Sequence, residues 1–433
     1  MSSSVQFETV QMGNLRVHIC STDKFKTNMM SALVQQSLSA ETVTRHALLP
    51  AVLQRGTRSH PTTLQLQRKL DDLYGATLFG DVFKRGERHI MQVGMEIPNE
   101  AYLSEAESLL DQGAAFLGEI LTAPAIEGSA FKEAYVKAEK KNLKQKIESL
   151  MDDKIRYAAQ RCVSEMCSDE PFSLFNHGRL QDLDSIDASN LYTYYQELIQ
   201  TRPIDLYFVG NLSVDRVCKL VDKFFPTEGR QRNRVQSTDV KHPVREIKEV
   251  VDRLDVKQGK LNMGARTQIA LQDPDYVSLM MYNGILGGFP HSKLFINVRE
   301  KSSLAYYAAS RLESHKGILT IQSGIEIDKY QQAVDIIKEQ FDIMRAGNIS
   351  DSELSQTKAM LVNQLRERQD RSYDLIDAHY HSVLSGADRP LDGLIQGVKQ
   401  VSKDDVVQVA QKIQIDTIYF LRDKKGGAQD GTH

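Results

Sequence analysis

The sequence predicts an α+β chain built from two halves of similar plan. Three observations carry that prediction: the length, a repeated order of strand and helix, and a matching pair of closing strands. The chain has 433 residues, too long for one ordinary domain and comfortable for two of about 200 residues each. Hydrophobic residues make up 41%, enough for sizeable cores and far from a disordered composition.

The repeat begins with Leu73-Tyr74-Gly75-Ala76, followed by an alternating run from Gly86 to Ile97. Its counterpart is Leu304-Ala305-Tyr306-Tyr307, followed by Lys316 to Ile327. Gly94-Met95-Glu96-Ile97 and Gly324-Ile325-Glu326-Ile327 each close a predicted strand. An amphipathic helix is expected after each, with Tyr102, Ala106, Leu109 and Leu110 on one apolar face and Tyr330, Ala333, Ile336 and Ile337 on the other. The half-ends match too. Asp205-Leu206-Tyr207-Phe208-Val209 resembles Thr417-Ile418-Tyr419-Phe420-Leu421, and each follows a helical stretch (Asn190 to Gln200; Lys403 to Ile413). Such short apolar runs suit strands in a sheet covered by helices. One unit therefore reads as strands, helix, strand hairpin, long helices and a closing strand. The stretch from Glu228 to Ser237 is polar, aperiodic and contains Gly229, as a linker does. The expected division is residues 1–228, a linker over 229–245, and residues 246–433.

Charge excludes some classes of partner. There are 54 Lys and Arg against 57 Asp and Glu, a net charge of −3. Nucleic-acid backbones demand a basic excess that this balance lacks. The start, Met1-Ser2-Ser3-Ser4-Val5-Gln6-Phe7-Glu8, has neither the basic start nor the apolar core of a secretory signal. No apolar run approaches the roughly 20 residues of a membrane span. No membrane partner is expected. Cys20, Cys162, Cys167 and Cys218 are scattered without a Cys-x-x-Cys pair, and read as reduced, partly buried thiols of a cytoplasmic protein.

Catalytic patterns are missing. A zinc peptidase needs two histidines one helical turn apart with a carboxylate base beside them. Of the eleven histidines only His379 and His381 are close, and on a helix i and i+2 point to different faces. They read as surface or interface residues. There is no Gly-x-Ser-x-Gly elbow and no Cys beside a His. Ser302-Ser303 reads as turn chemistry. Gly284 to Gly288 and Gly426-Gly427 lack the ending of a phosphate loop. No cofactor is expected.

The segment from Gly287 to Tyr306 holds Ser292-Lys293-Leu294-Phe295, Arg299-Glu300-Lys301 and Leu304-Ala305-Tyr306. It resembles the motif of the pitrilysin and mitochondrial-processing-peptidase family, the insulinase-like M16 peptidases. Phe208-Val209-Gly210-Asn211-Leu212 and Gln258-Gly259-Lys260-Leu261 extend the likeness over nearly the whole chain. The resemblance implies two α/β-roll domains of the LuxS/processing-peptidase type, facing each other around a peptide-sized chamber. It also implies that Arg299 and Tyr306 hold substrate backbone, as a guanidinium and a phenol can. The alternative is that Arg299 is a structural ion-pair partner and Tyr306 a packed aromatic.

The family's inverted zinc motif, His-x-x-Glu-His followed by Gly-Thr, is degenerate here. Gly56-Thr57 fixes the register, so the histidine positions fall on Ala47 and Ala51 and the glutamate on Pro50. Neither side chain can ligate or act as a base. His46 is one residue out of register, about 100° around a helix. The third ligand falls at Glu139, expected as a solvated helix residue or a partner of Lys140 or Lys144. The resemblance is thus to a catalytically degenerate bacterial member, a non-catalytic subunit that binds peptide and pairs with a zinc-bearing paralogue in a heterodimer, or else with itself in a homodimer. The alternative is a scaffold or peptide-binding protein without a proteolytic partner. Small bacterial members of the family are linked by name to maturation of elongation factor P, which is a further alternative.

Overall fold

The computed structural model describes residues 6–103, 108–225, 229, 231–302 and 304–424. Ala106 of the expected amphipathic helix, Glu228 and Arg230 of the expected linker, Ser303, Gly426, Gly427 and His433 lie outside the described residues.

The first half runs β1 (Glu8–Met12), β2 (Leu15–Ser21), β3 (Thr27–Ser37), α1 (Val43–Leu53), α2 (Thr63–Asp72), β4 (Thr77–Arg85) and β5 (Arg88–Pro98). It continues with α3 (Leu109–Thr122), the short hairpin β6 (Ile126–Glu127) and β7 (Ala130–Phe131), α4 (Glu133–Asp152) and α5 (Lys154–Met166). It closes with α6 (Ala188–Thr201), β8 (Ile204–Gly210) and α7 (Val214–Phe224). The second half runs β9 (Lys248–Leu254), β10 (Gly259–Arg266), α8 (Tyr276–Asn283), β11 (Ala305–Glu313), β12 (Ile318–Ile325) and α9 (Tyr330–Arg345). It ends with α10 (Asp351–Glu367), α11 (Ser372–Ser385), α12 (Leu391–Gln400), α13 (Lys403–Lys412) and β13 (Gln414–Asp423).

These elements form two compact units. One gathers the described residues up to 148, 174–237 and 369–379; the other gathers 149–173, 238–368 and those from 380 onward. Each unit therefore includes a short segment from the other half of the sequence.

The first unit holds a six-stranded sheet in the order β1-β2-β8-β3-β5-β4. Only β2 and β8 pair in parallel. Alternate residues of three central strands (Met30, Ala32 and Val34; Val93, Met95 and Ile97; Leu206 and Phe208) form a core with Leu48, Leu49, Phe116, Leu117, Leu198 and Val217 of the helices. This is the period of two expected of strands with one face under helices. On Tyr207, which points away from that core, the residue 369–379 segment docks through a 3.0 Å hydrogen bond between the Tyr207 hydroxyl and His379 Nδ1. Asp377 pairs with Arg85 of β4 at 2.6 Å.

The second unit holds a five-stranded sheet in the order β11-β12-β10-β13-β9, with β9 and β13 parallel. It is the first sheet without β1: in both, the last strand is inserted between an outer parallel partner and an antiparallel one. Leu261, Met263, Leu319, Ile321, Ile418 and Phe420 pack on Tyr282, Ile337, Phe341 and Val409. The other face receives α5, whose Ala158 and Cys162 meet Tyr419 and Leu421. Glu170, just beyond α5, pairs with Arg266 and with the fully buried Lys316, each at 2.5 Å.

The repeat reaches individual side chains. Phe79 of β4 faces Gly94 of β5, and Tyr307 of β11 faces Gly324 of β12. A Cβ on Gly94 would lie 2.5 Å from the Phe79 ring, and one on Gly324 would lie 2.4 Å from the Tyr307 ring. In both sheets an edge-strand aromatic thus lies flat across a neighbouring glycine.

One expected helix starts late. Asn99 accepts a hydrogen bond from the Ala101 N–H and turns the chain through a single 3₁₀ turn, Glu100–Tyr102, leaving Tyr102 exposed. Leu109 and Leu110 then open α3.

Candidate functional site

Helix α1 carries Ala47, Pro50 and Ala51, the positions that the sequence aligns with a metal motif. Thr42 precedes it, and all its residues except Arg45 and Ala51 are buried. Ala47 is buried and Ala51 half-buried. Pro50 stands inside the helix, where it withholds the N–H that would bond the His46 carbonyl. The Pro50 carbonyl instead accepts from both the backbone and the side-chain amide of Gln54, at 3.3 and 2.8 Å. Its ring packs toward β4, where a Cβ on Gly80 would come within 3.1 Å of Pro50 Cβ. A glycine on the strand lets the helix lie close.

Glu139 lies on α4 and is 6% exposed. It is not the solvated residue or lysine partner expected from sequence. Its carboxylate is gripped by the guanidinium of Arg55, just past α1, and accepts from Asn142 at 3.0 Å. The reason is burial: a carboxylate shielded from water needs a charged partner at short range. Arg55, unremarked in the sequence, is that partner.

The residues present do not fit zinc. Two alanines and a proline offer no donor atom, and the one carboxylate is already neutralised by an internal cation. Among the described residues no three His, Cys, Asp or Glu side chains are placed to hold a metal ion.

His46 points elsewhere. It is fully buried, with Nδ1 3.0 Å from the Tyr194 hydroxyl and its ring 4.5 Å from that of His89. Burial, helped by nearby Arg202, drops the His46 pKa to about 3. Burial and the neighbouring His46 hold His89 well below the ordinary histidine range too. Both rings are neutral at pH 7. Sequence spacing showed these histidines as isolated, because they are 43 positions apart along the chain while the fold brings their rings together. The pair His379 and His381 is likewise packed: His379 stacks on Phe7 at 4.3 Å, and His381 Nδ1 lies 2.7 Å from His315 Nε2.

The second motif lies in the second unit. Phe295–Lys301 and Gly284–Gly288 are π-helical turns, a widened geometry that recurs at functional sites. Arg299 lies in the last turn of one of them, exposed, its guanidinium 4.5 Å from the Phe295 ring. Tyr306 is 70% exposed. It is the extra residue of a bulge in β11, because Ala305 pairs with Ile325 and Tyr307 with Gly324. Bulges re-aim side chains at sheet edges, and β11 is an edge strand. Among the described residues neither Arg299 nor Tyr306 has an ion-pair or hydrogen-bond partner. The alternative of a structural ion pair and a packed aromatic does not describe them.

A sequence comparison decides the family. Over 416 residues, 96% of this chain and 97% of the relative, it is 45% identical to a Bacillus subtilis (strain 168) protein described as "Probable inactive metalloprotease YmfF". The chain belongs to the M16 peptidase family. The family model described as "Peptidase M16 inactive domain" matches residues 185–361 of this M16 chain. A second B. subtilis relative, "Uncharacterized zinc protease YmxG", is 24% identical over 73% of this chain and 76% of its own length. A crystal structure of a conserved protein from Enterococcus faecalis V583 superposes with a TM-score of 0.91 at 30% identity, covering 98% of this chain and all of that one. The mixed helix-and-sheet roll is therefore that of the M16 fold. This chain is a metallopeptidase homologue whose motif positions carry no metal-ligating set.

Proposed function

We propose that this M16 chain is a non-catalytic subunit that holds an extended peptide through Arg299 and Tyr306 and pairs with a zinc-bearing member of the family. The observation that carries the reading is the freedom of those two side chains. A guanidinium with several donors and a bulge-mounted phenol stand exposed with no internal hydrogen-bond partner among the described residues, ready for peptide carbonyls. Meanwhile the zinc-motif positions are closed by Ala47, Pro50 and Ala51, and Glu139 is paired with Arg55. Hydrolysis then belongs to the partner, which activates water while this chain orients the substrate. Relatives described as zinc proteases supply the type of partner required. The four cysteines form no disulfide, which suits a reducing cytoplasm, and no helix among the described residues is long and apolar enough to cross a membrane.

Co-expression with the zinc-bearing paralogue of the same cell tests the reading. A one-to-one complex is expected, with peptidase activity whose KM rises about tenfold in Arg299→Ala/Tyr306→Phe. A stable complex with unchanged kinetics in that variant would favour a scaffold instead.

A further inference from the structure

The second sheet carries a lysine that has no counter-charge among the described residues. Lys260 on β10 is 8% exposed. Among the described residues no carboxylate pairs with it. Its Nζ donates to Gln258 Oε1 at 2.7 Å and lies 5.9 Å from the centroid of the Tyr307 ring. Burial alone acts on the ammonium and lowers its pKa, with no acid to oppose it. The nitrogen of the same Gln258 amide is buried without a partner. Among the described residues no anion receives either this ammonium or the N–H of the amide that it bonds. Such an arrangement costs free energy that a bound acceptor would offset.

Comparison with the first unit isolates the feature. There the cross-strand row is Phe79, Gly94 and Ser31, and the Ser31 hydroxyl accepts from the Gln92 amide at 2.9 Å. The row is neutral and satisfied. In the second unit the same row is Tyr307, Gly324 and Lys260. The aromatic crosses the glycine in both, but a cation replaces the serine only in the unit that carries Arg299 and Tyr306. Tyr306 directly precedes Tyr307, so a peptide engaged at Tyr306 passes one residue from the ring beside Lys260. Asp153, the acid that acts on Tyr307, is committed to capping α5, accepting from the N–H groups of Ile155 and Arg156 at 3.2 and 3.1 Å.

We infer that Lys260 and Gln258 form a subsite for a carboxylate of the bound peptide, either an acidic side chain or the C-terminus. The two oxygens of a carboxylate match one ammonium and one amide N–H. The inference rests on the peptide-binding reading and adds to it a preference for acidic substrates.

The test uses matched extended peptides differing by one Glu or Gln, each with a free or an amidated C-terminus, titrated against the full chain. Wild type is expected to favour a carboxylate-bearing peptide by about tenfold; which of the two carboxylates earns the gain identifies the source. Lys260→Met should erase the preference, leave neutral-peptide binding unchanged, and melt no lower than wild type. Should that variant not fold, Gln258→Ala reads the same preference, expected to fall about threefold. Neutral peptides that bind as well as acidic ones overturn the subsite and leave the peptide-binding reading standing, as does a preference that survives both substitutions. Wild type that binds none of the peptides overturns both.

Discussion

The Arg55 guanidinium closes on the Glu139 carboxylate across 84 residues of chain. One residue lies just past the end of the helix that would present zinc ligands, the other on α4, so an internal cation neutralises the carboxylate that a divalent ion would otherwise meet. The pair ties α4 to α1 as a metal site would, but without a metal.

Removing one partner should therefore be costly. Arg55→Met strands a nearly buried carboxylate and is expected to destabilise the first unit by about 3 kcal/mol. Glu139→Gln in the same chain should recover most of that loss, because no charge is then left unpaired. Urea unfolding of the two single variants and the double variant measures the coupling.

The exposed motif predicts the opposite pattern. Arg299→Ala and Tyr306→Phe touch no buried partner, so the melting temperature should stay within about 2 °C of wild type. Peptide affinity should fall by about tenfold. A large loss of stability without a loss of binding would make both residues structural.

Acid should loosen the first unit. His46 and His89 are buried neutral, with the pKa lowered by burial, to about 3 for His46; His379 is also brought to about 3 by burial and nearby His18. Unfolded histidines titrate near 6.5. Below that value the unfolded state binds more protons, so the stability these rings contribute is complete above about pH 6.5 and is lost as pH falls toward the folded pKa. At pH 5 the loss is up to about 2 kcal/mol for each fully buried ring. The urea midpoint should drop between pH 7.5 and pH 5, and His89→Leu should flatten that dependence.

Glu170 anchors α5 to the second sheet through Arg266 and Lys316. Glu170→Gln removes a carboxylate that both Arg266 and the fully buried Lys316 contact, and should cost about 3 kcal/mol. Amide exchange in α5 should rise more than in α8 or α9, because the loss is local to that face.

Much of this architecture was legible in the chain. Alternation through Gly94 and Gly324 marked β5 and β12, and the apolar runs at Asp205 and Thr417 marked β8 and β13, because burial on a pleated surface imposes a period of two. That Ala47, Pro50 and Ala51 offer no metal-donor side chain is plain from residue type alone, since no fold supplies donor atoms to an alanine. Other features depend on which surfaces meet. Periodicity shows that α5 has an apolar face, but not that Cys162 would cover Tyr419. Nothing local to Glu139 announces Arg55, and nothing near His46 announces His89. The bulge at Tyr306 and the uncompensated Lys260 emerge only once β11 and β10 are set in register with β12.

The most direct test is metal analysis of the purified full chain, equilibrated with zinc and then dialysed, alongside peptide hydrolysis by the same sample. The account predicts far less than one zinc per chain and no turnover. One tightly held zinc per chain, with hydrolysis abolished by Glu139→Gln, would contradict it.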